Sequence, residues 1–337
     1  MDSTPLYYNC VPNFYKKLHG FPDLFHSFPF DFIGFSLYER GHMKIALIVN
    51  PCSGGKNGKK YLPQVIQKLI FHGIGFEPFI SQNVHDIFPL SARLDITAYD
   101  AVIAMGGDGT NFHMLNGLLA AHAPLSLPPL GILPVGSGNS FARDLGIHTL
   151  EQGIQALVDF HPRPVDVISF SNREKNFFFV NLMGLGFVTD VARTAEKFKY
   201  FNDLSYVMGV VYRTLNLNFH YMALEIDGTL YSGLNCFVEF CNSQYTGGSM
   251  RMAPGARIDD GLMDIVIAAP LSRQRLLAAL PKIYKGTHIH MPEITCIQAK
   301  KAIIITQPCK TLLPDGEIMG TTPAIVEVIP KLVGYLT

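Results

Sequence analysis

Charge is what this sequence has least of. Asp, Glu, Lys and Arg together make up 16% of its 337 residues, and 27 basic side chains balance 27 acidic ones. A chain without net charge has no long-range attraction for a phosphate backbone, which argues against nucleic acid as a partner. Any acidic ligand must be held by local geometry instead. Paired cysteines are missing as well: Cys10, Cys52, Cys236, Cys241, Cys296 and Cys309 are scattered, with no Cys-x-x-Cys pair. Free thiols in a reducing compartment are the expectation. No basic segment followed by an uninterrupted apolar run opens the chain, so no secretory signal is expected. Nor is there a clean apolar run of about 18 residues. The greasiest stretches, 123–135 and 204–219, are broken by prolines or by Arg213. Repeats and low-complexity tracts are absent. The expected location is the cytoplasm, with contact to a membrane from one side and no transmembrane segment.

What the chain does have is apolar bulk, 48% of its residues, and enough length for two domains with separate cores. Residues 1–43 stand apart as an extension dense in aromatics (Phe14, Phe21, Phe25, Phe28, Phe30, Phe32, Phe35) with no regular period. Such a segment suits either a membrane or partner contact or an arm packed onto the rest. Over 44–165, short apolar strands at 44–49, 76–81, 101–104 and 130–133 alternate with helical patterns at 61–71, 111–121 and 140–145. That alternation predicts an α/β domain with a doubly wound parallel sheet, whose ligand crevice lies at the carboxyl ends of the strands. Over 166–337 the pattern is mostly strands: 165–170, 177–183, 222–226, 235–240, 262–267, 302–306 and 324–329. A long helix at 190–215 and a shorter one at 273–283 interrupt them. A mainly antiparallel β domain is expected there.

Three glycine-rich loops fall at strand ends in the first domain. Asn50-Pro51-Cys52-Ser53-Gly54-Gly55-Lys56 precedes a helix, and glycines bring backbone N–H groups close to an anion there. It lacks the spacing of a P-loop, and taken alone an ordinary flexible turn explains it equally well. Gly106-Gly107-Asp108-Gly109-Thr110 adds a carboxylate suited to Mg²⁺ or to a substrate hydroxyl. Leu133-Pro134-Val135-Gly136-Ser137-Gly138-Asn139-Ser140 again turns the chain into a helix, with Asn139 or Ser140 available as a cap. Further on, Asp259-Asp260-Gly261-Leu262-Met263-Asp264 gathers three carboxylates into one turn. Asp315-Gly316-Glu317 reads on its own as a hairpin turn. His288 and His290 alternate on an expected strand face, with no third ligand apparent, and read as surface residues.

In this order and spacing, Asn-Pro-x-Ser-Gly, Gly-Gly-Asp-Gly-Thr and Leu-Pro-x-Gly-Ser-x-Asn-x-Phe-Ala-Arg resemble the diacylglycerol kinase catalytic-domain family. That family includes bacterial lipid kinases, sphingosine kinases and ceramide kinases. The likeness runs on through Gly184-x-Gly186-Phe187, Leu204-Ser205-Tyr206, Thr246-Gly247-Gly248-Ser249-Met250 and the two acidic turns, roughly residues 44–330. The resemblance implies an α/β nucleotide domain followed by a β-sandwich, with ATP between them. It implies nucleotide contacts from Asn50, Ser53, Gly54, Gly106, Gly107, Gly109, Thr110, Gly136, Ser137 and Asn139. Asp108 would act on the phosphates through Mg²⁺ or on the acceptor, and Glu317 would take the proton of the acceptor hydroxyl. Asp260 and Asp264 would hold a structural Mg²⁺.

The resemblance also implies a lipid substrate at a membrane surface, with Asp190 and Lys199 as substrate-binding positions and a homodimer compatible with the sequence. Sphingosine kinases typically carry a second acid where this chain has Ala192, and that departure favours diacylglycerol or a related glycerolipid. Phe177–Phe179, Met208 and Met222 would line an acyl pocket or pack the core. A sphingoid-base kinase and a soluble NAD kinase-like enzyme sharing the Gly-Gly-Asp-Gly loop are the alternatives. A binding protein without turnover is the remaining one, against which the resemblance sets Asp108, Thr110, Asn139 and Glu317 together.

Overall fold

The computed structural model describes residues 43–172, 176–195 and 204–337. The aromatic-rich extension, apart from Met43, and Lys199 lie outside that range. Strands β1 (Lys44–Val49), β2 (Gly75–Ile80), β3 (Ala101–Gly106) and β4 (Leu130–Pro134) alternate with helices α1 (Ser53–Phe71), α2 (Ile87–Ala92) and α3 (Asp108–Ala121). The strands are parallel in the order β2-β1-β3-β4. β1 and β3 read as unbroken apolar runs because helices cover both sheet faces. From β1 the chain crosses to one neighbour and from β3 to the other. Right-handed crossovers then set α1 and α3 on opposite faces. Helices α4 (Ser140–Asp144) and α5 (Leu150–Asp159) follow β4, and α5 begins with a capping box of Thr149 and Gln152.

From residue 162 the chain is mainly strand. β5 (Pro162–Ser171) and β6 (Asn176–Phe179) form a hairpin, and β7 (Leu182–Gly186) leads into α6 (Phe187–Ala195) and α7 (Leu204–Leu215). Next come β8 (His220–Ile226), β9 (Thr229–Asn235), β10 (Phe237–Cys241), the short β11 (Tyr245–Thr246) and β12 (Met250–Arg251), and β13 (Met263–Ala268). Helix α8 (Arg273–Lys285) precedes β14 (Ile294–Ala299), β15 (Lys301–Gln307), β16 (Leu312–Pro314) and β17 (Ala324–Leu336). An antiparallel sheet of order β14-β13-β10-β7-β16 packs one face against β5, β8, β15 and β17. Met183, Leu185, Val238, Phe240 and Ile265 fill that interface. Its other face is covered by α6, α7 and α8. The fold is therefore an N-terminal α/β domain followed by an antiparallel β-sandwich, as the pattern of elements predicts.

β17 ties the halves together. Its start pairs with β15, Tyr335 near its end pairs with Leu130 of β4, and β5 runs beside most of its length. A bulge between Ile329 and Val333 is held by Asp166, which is fully buried and accepts the Lys331 N–H at 2.7 Å and the Gly261 N–H at 2.5 Å.

Three expectations need correction. The single strand at 177–183 is two strands in different sheets, because Asp315 captures the backbone N–H groups of Val180, Asn181 and Leu182 at the crossing point. The helix at 190–215 starts at Phe187 and is two helices, α6 and α7, joined by Arg213 Nε donating to Thr194 Oγ1 at 2.6 Å. His288 is a buried residue in a short 3₁₀ turn with Nε2 3.0 Å from the Met252 carbonyl, not a surface residue on a strand. Of the aromatic and methionine residues set aside for an acyl pocket, Phe179 and Met222 pack the sandwich core.

One buried group has consequences for stability. Glu239 on β10 is 2% exposed, stands opposite Gly184, and its Oε2 has no partner. Burial pushes its carboxyl from 4.5 up to about 8, so it is neutral at pH 7. The unfolded chain ionises first as pH rises, so stability complete below pH 4.5 is lost progressively up to about pH 8. Glu239→Gln, which cannot ionise, is expected to match the wild type near pH 4.5 and to exceed it by roughly 4 kcal/mol at pH 8. Urea titrations at both pH values measure this. A difference that does not change with pH would show that Glu239 keeps one protonation state.

Candidate active site

The three glycine-rich loops sit side by side at the carboxyl ends of β1, β3 and β4. Asn50 follows β1 and is buried; its Nδ2 donates to Thr110 Oγ1 at 3.2 Å, and its Oδ1 accepts the Cys52 N–H at 3.1 Å. The chain then passes through left-handed Gly54, Gly55 and Lys56 before regular helix sets in. This explains why helical periodicity is visible only from Tyr61 although α1 starts at Ser53. Gly54 lies on the third loop, where a side chain would come 2.2 Å from the Val135 carbonyl oxygen. The second and third loops touch backbone to backbone: a Cβ on Gly136 would stand 2.4 Å from Gly107 Cα. From Gly107, the same construction places Ser53 Oγ at 3.7 Å and Asn139 Oδ1 at 3.6 Å. Asn139 is left-handed, and its amide clamps Gly136 through bonds to its N–H at 3.0 Å and carbonyl at 2.8 Å. Asn50, Ser53, Gly54, Gly106, Gly107, Gly109, Thr110, Gly136, Ser137 and Asn139 thus share one sheet edge. The N-termini of α1 and α3 both open onto it, which favours an anion there.

The carboxylates divide by task. Asp108 accepts the backbone N–H groups of Ser140 at 3.0 Å and Phe141 at 3.1 Å, so it ties the second loop to the start of α4. Burial pushes its carboxyl up, against those two bonds and Arg143. Asp315 anchors the crossing of the two sheets, and burial, with Asp108 nearby, pushes it up to about 8. Two residues on, Glu317 is different. Its side chain reaches the first turn of α3, where a Cβ on Gly109 would lie 2.6 Å from Oε1, and its Oε2 is 3.5 Å from His113 Nε2. The turn after β11 closes the edge from the sandwich side, with the Gly248 N–H donating to Ser140 Oγ at 3.0 Å. Glycine-rich loops, helix N-termini and a carboxylate arriving from the second domain therefore meet at one cleft, the parts that phosphoryl transfer asks for.

The family model of the diacylglycerol kinase catalytic domain matches residues 44–170. That of the YegS C-terminal NAD kinase beta sandwich-like domain matches residues 181–337. Residues 44–170 thus carry a diacylglycerol kinase catalytic domain. A chain with this domain is a kinase that phosphorylates a lipid alcohol. The chain is 28% identical to the diacylglycerol kinase of Bacillus subtilis over 284 residues, 82% of this chain and 90% of that one. A solved diacylglycerol kinase of Bacillus anthracis shares the fold with a TM-score of 0.65 at 23% identity, covering 88% of this chain and 98% of that chain. An NAD kinase of Archaeoglobus fulgidus, solved with ATP, shares it at 0.50 and 14% identity, covering 88% and 94%. These two likenesses concern the fold alone.

In this lipid kinase the remaining expected residues stand elsewhere. Asp190 is in the first turn of α6, in a polar cavity with Arg193 and Lys310 at the far end of β7 from Asp315. Asp260 and Asp264 are close enough to repel: burial first, then Asp260, pushes Asp264 up. Asp260 Oδ1 accepts the Leu262 N–H at 3.1 Å, and Asp259 pairs with Arg163 at 2.7 Å. Among the described residues no group of three or more His, Cys, Asp or Glu is placed to hold a metal ion. His113 and Asp315 were not singled out from sequence. His113 lies four residues after Gly109, hence on the same helix face that Glu317 meets, a spacing that could have exposed it.

The backbone contact of Gly107 with Gly136 has no slack. Gly136→Ala is expected to push the two loops apart and to lower kcat/KM for ATP about 100-fold while the far-ultraviolet circular dichroism stays unchanged. Wild-type kinetics in this variant would show that the contact does not set the phosphate geometry.

Proposed function

We propose that this lipid kinase transfers the γ-phosphoryl group of ATP to the free hydroxyl of diacylglycerol or a related glycerolipid. The observation that carries the reading is the meeting of Glu317 with the first turn of α3, beside the three phosphate loops. In this reading backbone N–H groups of the loops and of the α1 and α3 N-termini hold the phosphate oxygens. Glu317 orients the acceptor hydroxyl and takes its proton, and His113 behind it fixes the carboxylate. Asp108 and Glu317 offer the hard oxygens that Mg²⁺ selects, and the mutual repulsion of Asp260 and Asp264 fits a second cation at that turn. Mg²⁺, when bound with ATP, neutralises part of the charge on the phosphates.

Lipid recognition would fall to the sandwich. Phe187, Val188, Val210, Phe237, Met252 and Leu276 pack the core between the β10 sheet and its helices and leave a cavity of only about 30 Å³, too small for an acyl chain, so the acyl chain would lie against the protein's surface. Asp190 stands beyond the end of β7 that is far from Asp315, away from the reacting hydroxyl. Sequence identity to a diacylglycerol kinase over most of the chain supports the glycerolipid. The place expected for a second sphingoid-binding acid is Ala192.

The test is transfer of label from γ-labelled ATP to diacylglycerol, monoacylglycerol, phosphatidylglycerol, sphingosine and ceramide in mixed micelles, with NAD as a soluble acceptor. Label in a glycerolipid is expected, and Glu317→Gln should lower kcat by about 10² to 10⁴ with little change in KM for ATP. Label in sphingosine or in NAD alone would overturn the glycerolipid assignment. Undiminished kcat in Glu317→Gln would remove the proposed base.

A further inference from the structure

Away from the phosphate loops the chain encloses a polar cavity of about 160 Å³ between the first turns of α6 and the segment joining β15 to β16. Gly186, Thr189, Asp190, Arg193, Lys310 and Thr311 form most of its wall. Arg193 Nη2 donates to Thr311 Oγ1 at 2.7 Å, which fixes the guanidinium and leaves its other N–H donors available. Among the described residues neither Arg193 nor Lys310 forms an ion pair, and neither does Asp190. Two cations therefore face one carboxylate in a partly enclosed space, where charge is screened less than in bulk water. His220 stands behind this wall. It is 1% exposed, neither ring nitrogen has a partner, and its Cε1 would lie 2.6 Å from a Cβ on Gly186. Burial, with Lys310 nearby, pushes it down to about 4. The wall is polar, which disfavours an acyl chain, and its net positive charge disfavours a metal cation.

The position separates this cavity from the transfer point. Thr311 and Asp315 bracket the extended strand β16, four residues apart, which is roughly 14 Å. Yet both belong to one hairpin. The Leu312 N–H donates to the Gly320 carbonyl at 3.2 Å, the Met319 N–H to the Leu312 carbonyl at 3.1 Å, and Thr311 bridges Thr321. The cavity is at the base of the hairpin whose tip carries Glu317.

We propose that Arg193 and Lys310 form a second anion site, which binds a phosphate group distinct from those of ATP. Arg193 grips it through paired N–H groups, Lys310 neutralises it, and Asp190 takes a hydroxyl or ammonium carried by the same ligand. A phosphodiester of a lipid headgroup and free inorganic phosphate share this chemistry. The site needs no assumption about which lipid is phosphorylated.

The experiment uses the whole chain with its nucleotide cleft saturated by Mg²⁺ and a non-hydrolysable ATP analogue. Inorganic phosphate is titrated by calorimetry, and flotation is measured with phosphatidylcholine vesicles with and without phosphatidylglycerol. Lys310→Gln, whose side chain makes no hydrogen bond among the described residues, is expected to weaken binding about tenfold, and Arg193→Gln with Lys310→Gln to abolish it. Capture by phosphatidylglycerol vesicles that both variants lose identifies a lipid headgroup. Binding of inorganic phosphate alone, lost in the same variants, identifies free phosphate. Equal affinity in wild type and both variants, or no binding of either probe by the nucleotide-loaded wild type, overturns the proposal.

Discussion

Helix α3 is buried along most of its length and yet carries polar residues, and each of these is claimed by a different part of the fold. Thr110 Oγ1 accepts from Asn50 after β1, and Asn111 Oδ1 accepts the Tyr335 hydroxyl at 2.9 Å from β17. The Asn116 amide bonds both the N–H and the carbonyl of Phe178 on β6. Asp108 caps α4, while His113 stands 3.5 Å from Glu317 without a hydrogen bond. A buried polar group left unpaired costs about 1–3 kcal/mol, so the hydrogen-bonded partners must arrive together or not at all. The helix that opens on the phosphate loops is thereby also the pin through both domains.

From that constraint the cleft follows. Loops after β1, β3 and β4 can touch backbone to backbone only because glycines stand at the contacts, and the contact fixes where their N–H groups point. The sandwich is held against this edge by Gly248 on Ser140 and by the Gln244 N–H on Asp144. β17 runs from one domain's sheet into the other's. Glu317 therefore reaches the cleft from a rigid hairpin, although more than 200 residues separate it from Asp108. Preorganisation of this kind is what phosphoryl transfer asks of a protein, since its transition state needs positioning and charge more than covalent help.

Most of this was legible in the chain. The apolar runs of β1 and β3 announce a buried parallel sheet, and the three glycine clusters mark its working edge. Signals that were present but unread include Thr149 and Gln152, a capping box for α5, and Asp227-Gly228, whose positive φ angles turn β8 into β9. Other features are invisible to local pattern. No periodicity could reveal that the run from Phe177 to Met183 changes sheets, because the cause is a carboxylate more than 130 residues away. The start of α1 was hidden for the opposite reason: left-handed Gly54 and Gly55 erase the helical period in its first turn. Glu317 could be found only through resemblance, and its neighbour His113 only through a helix face that the resemblance did not mention.

The structure also changes what the acidic motifs can be taken to mean. Asp108 accepts two backbone N–H groups and Asp315 three, and both ligations shape the chain whether or not any reaction occurs. A protein that only bound nucleotide would need the same two residues to fold, so their presence does not discriminate a kinase from a binding module. Glu317 stands differently. Its backbone N–H closes the turn on Pro314, but among the described residues its side chain makes no hydrogen bond and meets only His113 as an ionisable neighbour. An acidic side chain that stability does not require, held at the N-terminus of a helix beside three phosphate loops, is best accounted for by chemistry. The functional weight of Asp-Gly-Glu therefore rests on its last residue: the first builds the site, the glycine turns the chain with φ of 86°, and the glutamate is left free to act.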